Sequence, residues 1–223
     1  ATGDPALVHE VGEAMGRELR LLGWNVNFGP VLDIFHHPEN RVIGDRAFGT
    51  TAGDVITYAG AWLDGHRAAG MSCCGKHFPG HGRTEVDSHI ALPVVRHPVA
   101  QLHSDLAPYR ALGPRLDAIM TAHIRFPAVD PDNVATCSST VLGWLEEFPF
   151  DGVVISDDME MGAMAHIPAR DRAVHSLLAG THLVLACSQE ELLFTMADGI
   201  AETLRGGGEP ARILGLRHEK VCA

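Results

Sequence analysis

Residues 75–92 read GKHFPGHGRTEVDSHIAL, directly after the short run Met71-Ser-Cys-Cys74. The stretch sets Lys76, His77, His81, Asp87 and His89 beside Pro79 and the glycines Gly75, Gly80 and Gly82. A buried strand that opens into a polar, imidazole-rich loop held by Gly and Pro has the character of a site. Ordering such groups gains little packing energy, so a linker has no reason to carry them.

Outward from this stretch the chain alternates strand, loop and helix. Leu7, Val11, Met15, Leu19 and Leu22 recur every three or four positions between Pro5 and Gly23, which predicts an amphipathic helix with that stripe buried. Trp24–Phe28 and Gly29–Ile34 predict a strand running into a loop that ends in Ile43-Gly-Asp-Arg-Ala-Phe-Gly49. A second helix is expected from about Asp54 to Ala69, followed by the strand Met71–Cys74 and a helix after Pro98 that Pro108 must bend or end. Further strands are expected over Leu116–His123, Gly152–Ser156 and His182–Cys187. A short helical stretch is predicted at Trp144–Phe150, a helix near Ala169–Ala179, and a last helix through Leu192, Met196, Ile200 and Leu204. Five short apolar strands separated by helices predict an α/β fold with a parallel sheet. Four of them end in polar candidates, at Asp33, Lys76, His123 and Asp157, as in a parallel barrel whose chemistry gathers at the C-terminal ends of its strands. No Gly-x-Gly-x-x-Gly follows a strand, which argues against a nucleotide site.

The chain of 223 residues, 46% hydrophobic and 20% charged, is long enough to bury a core as one domain over 1–223. With 17 basic against 28 acidic residues its net charge of −11 repels phosphate backbones, so no nucleic-acid partner is expected. No apolar run reaches the roughly 20 residues of a membrane span, and the N-terminus carries no signal core. No membrane partner and a cytoplasmic location are expected; the five cysteines, odd in number, fit a reducing compartment. Cys73 and Cys187 read as small core residues, and His66, His97, His103 and His175 as surface residues.

Asp157 ends an apolar strand, where partial burial can order a carboxylate while nearby donors keep it ionised and able to act as a nucleophile. Asp87 and His89 lie two apart in a loop that can bend the carboxylate onto the imidazole and fix its tautomer, making an acid/base dyad. A nucleophile and a proton donor are what glycoside cleavage with retention needs, although the usual donor is a carboxylic acid. Arg46 can present a fixed planar set of donors, or can be spent in a surface ion pair. His77-x-x-x-His81 has the spacing of a helical zinc pair, but Pro79 between the two breaks such a helix, so a metal hydrolase is disfavoured. A Ser–His–Asp triad through Ser88 or Ser156 lacks the strand–elbow glycines. Asp158 is most simply a helix N-cap or first-turn acid ahead of Met159–Met164.

Lys76-His-Phe-Pro-Gly-His-Gly82 with Asp87-Ser-His89, Ile43-Gly-Asp-Arg46, Met120-Thr-Ala-His123 and Ile155-Ser-Asp-Asp158 together resemble the family-3 glycoside hydrolases, in particular their bacterial β-N-acetylglucosaminidases. The resemblance implies a (β/α)8 TIM-barrel fold, here an incomplete barrel of about five strands that lacks the family's N-terminal part and its Asp-x-Glu-Gly-Gly segment. It implies a retaining exo-glycosidase for terminal β-linked N-acetylglucosamine of peptidoglycan fragments, with Asp157 as nucleophile and His89 with Asp87 as acid/base. Lys76, His77 and Arg46 would hold the sugar hydroxyls, and no metal or organic cofactor is implied. The expected partner is a small amino-sugar glycoside or muropeptide. Two unpaired strand edges would also favour self-association. The rival expectations are a sugar-binding fragment without turnover and a β-glucosidase-type specificity.

Overall fold

A computed structural model describes residues 3–222, and their packing divides into two compact units. The first holds the residues through Arg83 with Ala100–Met120 and Glu146–Gly152. The second holds Thr84–Val99, Thr121–Leu145 and the residues from Val153 on.

In the first unit, helix α1 (Pro5–Leu21) starts where the Asp4 carboxylate accepts the N–H groups of Ala6 and Leu7, and Gly23, at φ +87°, ends it. Helix α2 (Ala52–Ala68) starts at Thr51, whose hydroxyl accepts the Asp54 N–H. The two helices meet through glycines rather than through the predicted stripe. A Cβ on Gly65 would lie 2.2 Å from the His9 carbonyl oxygen and 2.6 Å from the Glu13 nitrogen, and one on Gly12 would lie 2.7 Å from the Trp62 oxygen. Gly12 and Gly16 are the buried residues of α1, while Leu7, Val11 and Met15, about 100° round the helix from them, are exposed. Periodicity located the helix, but close backbone approach at small residues chose the face it buries. His66, expected at the surface, is buried in α2: its ring stacks on Trp62 and accepts a hydrogen bond from Asn27 Nδ2 at 2.9 Å.

Strand β1 (Val26–Asn27) runs parallel to β2 (Ser72–Phe78), with Val26 opposite Ser72 and Asn27 opposite Cys73. The ladder continues past β1. Cys74 N–H donates to Gly29 O at 2.8 Å, Lys76 N–H to Pro30 O at 3.1 Å, and Leu32 N–H to Lys76 O at 2.6 Å. Strand β2 therefore reaches four residues beyond the Cys74 end read from the sequence, and Lys76 and His77 stand on the strand, not in the loop. Strand β3 (Ala118–Thr121), buried throughout, follows β2 in the sheet order, and Asp117 exchanges bonds with the Cys73 backbone. The predicted helix after Pro98 is two helices, α3 (Val99–Ser104) and α4 (Ala107–Leu112), with Pro108 in the first turn of the latter. Phe78 and Tyr109, both fully buried, meet edge to face at 5.2 Å.

Helix α5 (Ser139–Leu142), in the second unit, is followed in the chain by a 3₁₀ turn over Gly143–Glu147, where the sequence indicated one short helical stretch. Strands β4 (Val153–Asp158) and β5 (Leu183–Leu185) are parallel, with Ile155 opposite Leu183. Helices α6 (Ala169–Ala179) and α7 (Glu190–Gly206) fall where expected, and Met159, Met164, Ala173 and Met196 form the core beneath them with Val134 and Cys137. A further helix, α8 (Gly208–Cys222), escaped the sequence reading. Gly207 and Gly208, at φ +68° and +73°, break the chain, and Pro210 sits in the first turn after the break. Cys187 is exposed, not a core residue. The structure also corrects the N-cap assignment of Asp158: β4 runs through it, its carboxylate accepts the Glu160 N–H at 3.1 Å, and the segment beyond forms only a 3₁₀ turn at Gly162–Met164.

The described residues thus carry five strands alternating with helices, the α/β succession of the (β/α)8 class. Gly65→Ala should lower the urea midpoint by about 1–3 kcal/mol of stability, because overpacking against backbone atoms outweighs the ~1 kcal/mol gain in helix propensity. An unchanged or raised midpoint would show that α1 and α2 do not depend on this close approach.

Candidate active site

In the first unit the C-terminal end of β2 is organised by a carboxylate on the chain that extends from β1. Asp33 lies between Leu32 and Ile34 and has no solvent exposure. Its Oδ2 is 2.7 Å from His77 Nδ1, both its oxygens accept the His77 N–H at 3.3 Å, and Oδ1 accepts the His81 N–H at 2.6 Å. Burial by itself would raise this carboxyl, but the His77 ring and the donors around it hold it below the usual carboxylate range. Asn40 adds a second anchor, donating from Nδ2 to the His81 carbonyl at 2.8 Å and accepting the Ile43 N–H at 3.0 Å. His36 and Arg83 share Asp105, with His36 Nε2 2.7 Å from one oxygen and Arg83 Nε 2.6 Å from the other.

Of the substrate-contact candidates, Lys76 and His77 are therefore adjacent on β2, Lys76 half-buried and His77 buried. The Arg46 side chain is exposed, and its guanidinium donates to the Val42 carbonyl of its own loop. Asp33 is the residue that the motif reading passed over as one polar strand-end group among several. Its signal was an ionisable side chain between two aliphatic ones, which is tolerated only where donors surround it.

The second unit holds the candidates for bond-breaking chemistry. Asp87 Oδ1 lies 2.8 Å from His89 Nδ1 and also accepts the His89 N–H at 2.9 Å, so the expected pair is formed within one tight turn. The His89 ring is exposed, with Nε2 as the nitrogen not taken by Asp87. The turn docks on the Gly162 segment, where Gly162 N–H donates to His89 O and Ala163 N–H to Ser88 O, each at 3.0 Å. A Cβ on Gly162 would fall 2.4 Å from the Ile90 carbonyl oxygen, so only glycine allows this approach.

Asp157 stands half-buried near the end of β4, its Oδ1 accepting the N–H of Asp158 at 2.8 Å. Beneath it His123 is buried, with Nε2 3.0 Å from the Asp158 carbonyl oxygen and Nδ1 2.8 Å from Thr136 Oγ1. A carbonyl only accepts, so Nε2 carries the proton. Burial pushes this imidazole below its ordinary value of 6.5, against the pull of Asp157 and Asp158. A neutral ring then leaves Nδ1 as an acceptor facing Thr136 Oγ1, whose hydroxyl also lies 3.0 Å from the Ala122 carbonyl oxygen and 2.8 Å from Thr121 Oγ1. The network pins the backbone that carries Asp157 without placing a second full charge beside it. Among the described residues no group of three or more His, Cys, Asp or Glu side chains is arranged to hold a metal ion.

Residues 1–221 match the family described as "Glycosyl hydrolase family 3 N terminal domain". The chain is 37% identical over 186 residues to a beta-hexosaminidase of Idiomarina loihiensis, covering 80% of this chain and 54% of that protein. It is 43% identical over 195 residues to one of Alkalilimnicola ehrlichii, covering 83% and 54%. It thus spans about half the length of these curated relatives. Among solved structures, a glycoside hydrolase family 3 beta-N-acetylglucosaminidase of Paenibacillus sp. superposes with a TM-score of 0.87 at 38% identity, over 98% of this chain and 44% of that one. A beta-N-acetylhexosaminidase of Beutenbergia cavernae gives 0.92 at 29% identity, over 98% and 68%.

The two buried acid–base groups separate by pH. Below 6.5 the unfolded chain takes up a proton that folded His123 resists, so stability falls as pH drops below that value. The contribution of Asp33 is fully present above 3.8 and is lost only below it. Urea midpoints should therefore decline as pH falls below 6.5, while ¹⁵N spectra should show His123 titrating below its ordinary value. A His123 that titrates at or above 6.5 in the folded chain would contradict the network.

Proposed function

The chain belongs to glycosyl hydrolase family 3, and from that membership we propose that it is catalytic-domain material of a retaining exo-β-N-acetylglucosaminidase acting on cell-wall muropeptides. The observation that carries the reading is the Asp87–His89 contact at 2.8 Å, which leaves Nε2 of an exposed imidazole as a proton carrier. The names of the relatives, beta-hexosaminidase and beta-N-acetylglucosaminidase, support the choice of sugar.

In this reading the Asp157 carboxylate attacks the anomeric carbon while His89 Nε2 gives its proton to the departing glycosidic oxygen, forming a glycosyl ester and freeing the aglycone. His89, now neutral, takes a proton from water; the hydroxide adds to the anomeric carbon, the ester bond breaks, and Asp157 is restored as a carboxylate. Asp87 holds Nδ1 throughout and stabilises the imidazolium whenever it forms. Lys76, His77 and Arg46 bind the sugar hydroxyls, Arg46 after its guanidinium leaves the Val42 carbonyl. No metal or organic cofactor enters the scheme. The exposed apolar residues Leu7, Val11, Met15, Trp24 and Phe28 favour self-association as a further part of the reading. A second reading is a sugar-binding unit of the same fold without turnover.

Hydrolysis of 4-nitrophenyl N-acetyl-β-glucosaminide by the chain should be abolished in Asp157→Ala. His89→Ala should lose about 10²–10⁴-fold on alkyl or sugar aglycones and far less on the nitrophenyl one, which needs little protonation. Equal losses on both aglycones would remove His89 as the acid, and sugar binding without release of nitrophenol by the folded chain would favour the second reading.

A further inference from the structure

We propose that Asp33 is a positioning residue that decides which ring nitrogen of His77 meets a bound sugar; the inference rests on the reading of His77 as a sugar contact. An ionised carboxylate has no proton to give. With Oδ2 2.7 Å from Nδ1, the proton between the two groups must therefore sit on the ring, and Nε2 is the nitrogen left for a ligand. Asp33 can stay ionised although it has no solvent exposure, because the His77 and His81 N–H groups also point at it. The same carboxylate thus grips the ring of His77 and its main chain together. Rotation of the imidazole by half a turn would bring a carbon to the carboxylate and break the 2.7 Å contact.

If Asp33 only fastened the loop, the identity of the protonated nitrogen would not depend on it. A carboxamide separates the two possibilities. In Asp33→Asn the side chain keeps its shape, but the His81 N–H holds its one acceptor oxygen, so the amide NH2 faces Nδ1 and favours the opposite tautomer.

The decisive experiment is a long-range ¹H–¹⁵N correlation spectrum of the labelled 223-residue chain near pH 7, with His77→Gln prepared to identify the His77 signals. The wild type should show Nδ1 protonated, and Asp33→Asn should show a shift toward the Nε2-protonated tautomer. In parallel, kcat/KM for the aryl N-acetylglucosaminide should fall roughly 10- to 100-fold in Asp33→Asn, mainly through KM, the scale of a small misplacement of a contacting group. A wild-type His77 protonated only on Nε2 overturns the proposal even if the variant does not fold, and so does a folded Asp33→Asn with unchanged ring signals. N-Acetylglucosamine added to the wild type should shift His77 Nε2. An Nδ1-protonated ring that ignores the sugar would defeat the sugar-contact reading while supporting the control that Asp33 exerts over the ring.

Discussion

A carboxylate taken wholly out of water is destabilising unless donors replace its hydration, and removing one partner of such a buried pair costs about 3–5 kcal/mol. Asp33 meets that demand with three donors: one imidazole N–H and two backbone N–H groups, all from His77 and His81. The extension of β1 is in this way fastened to the end of β2 at the point where β2 ceases to be a strand. Pro79 and Gly80, buried between the two histidines, then lead the chain away, and Asn40 and the Arg83–Asp105–His36 cluster hold the segment that follows. The geometry of Lys76 and His77 depends on this carboxylate before it depends on any ligand.

Three histidines of one chain are put to different uses by their surroundings. His123 is buried, donates to a carbonyl and accepts from a hydroxyl, and is kept neutral, so it suits holding the backbone of Asp157 rather than moving protons. His89 carries a similar hydrogen bond on Nδ1, but to a carboxylate, and its ring reaches solvent, which suits exchange of a proton with a substrate or water. His77, like His89, has a carboxylate on Nδ1, in its case Asp33, and like His123 it is buried. That combination orients a ring and restricts it to one face of contact.

The succession of strands and helices was legible because each strand is a short apolar run closed by polar residues, and α6 and α7 carried clear periodicity. The Asp87–His89 contact was legible too, since two residues in a turn leave little choice of geometry. What the pattern could not give was the choice between faces. In α1 the larger apolar residues outweigh Gly12 and Gly16 in any periodicity, yet helices pack most closely where side chains are absent. The reach of β2 to Phe78 depended on hydrogen-bond partners some forty residues away, at Gly29–Leu32. The Asp33 network depended on the same long-range pairing, and α8 was hidden behind glycines that read as an ending. Arg46 carried a motif, but its side chain rests on its own loop, which no motif specifies.

A covalent glycosyl ester on Asp157, formed with help from the Asp87–His89 pair, is what the proposed retaining reaction requires. It is tested most directly by incubating the chain with an N-acetylglucosaminyl fluoride carrying a second fluorine on the ring, which slows release of the intermediate, and locating the adduct by peptide mass spectrometry. A sugar-sized mass increase is expected on the peptide containing Asp157, and none in Asp157→Ala. A sugar adduct on any other residue, or turnover of the fluoride by folded chain with inversion at the anomeric carbon, would contradict it.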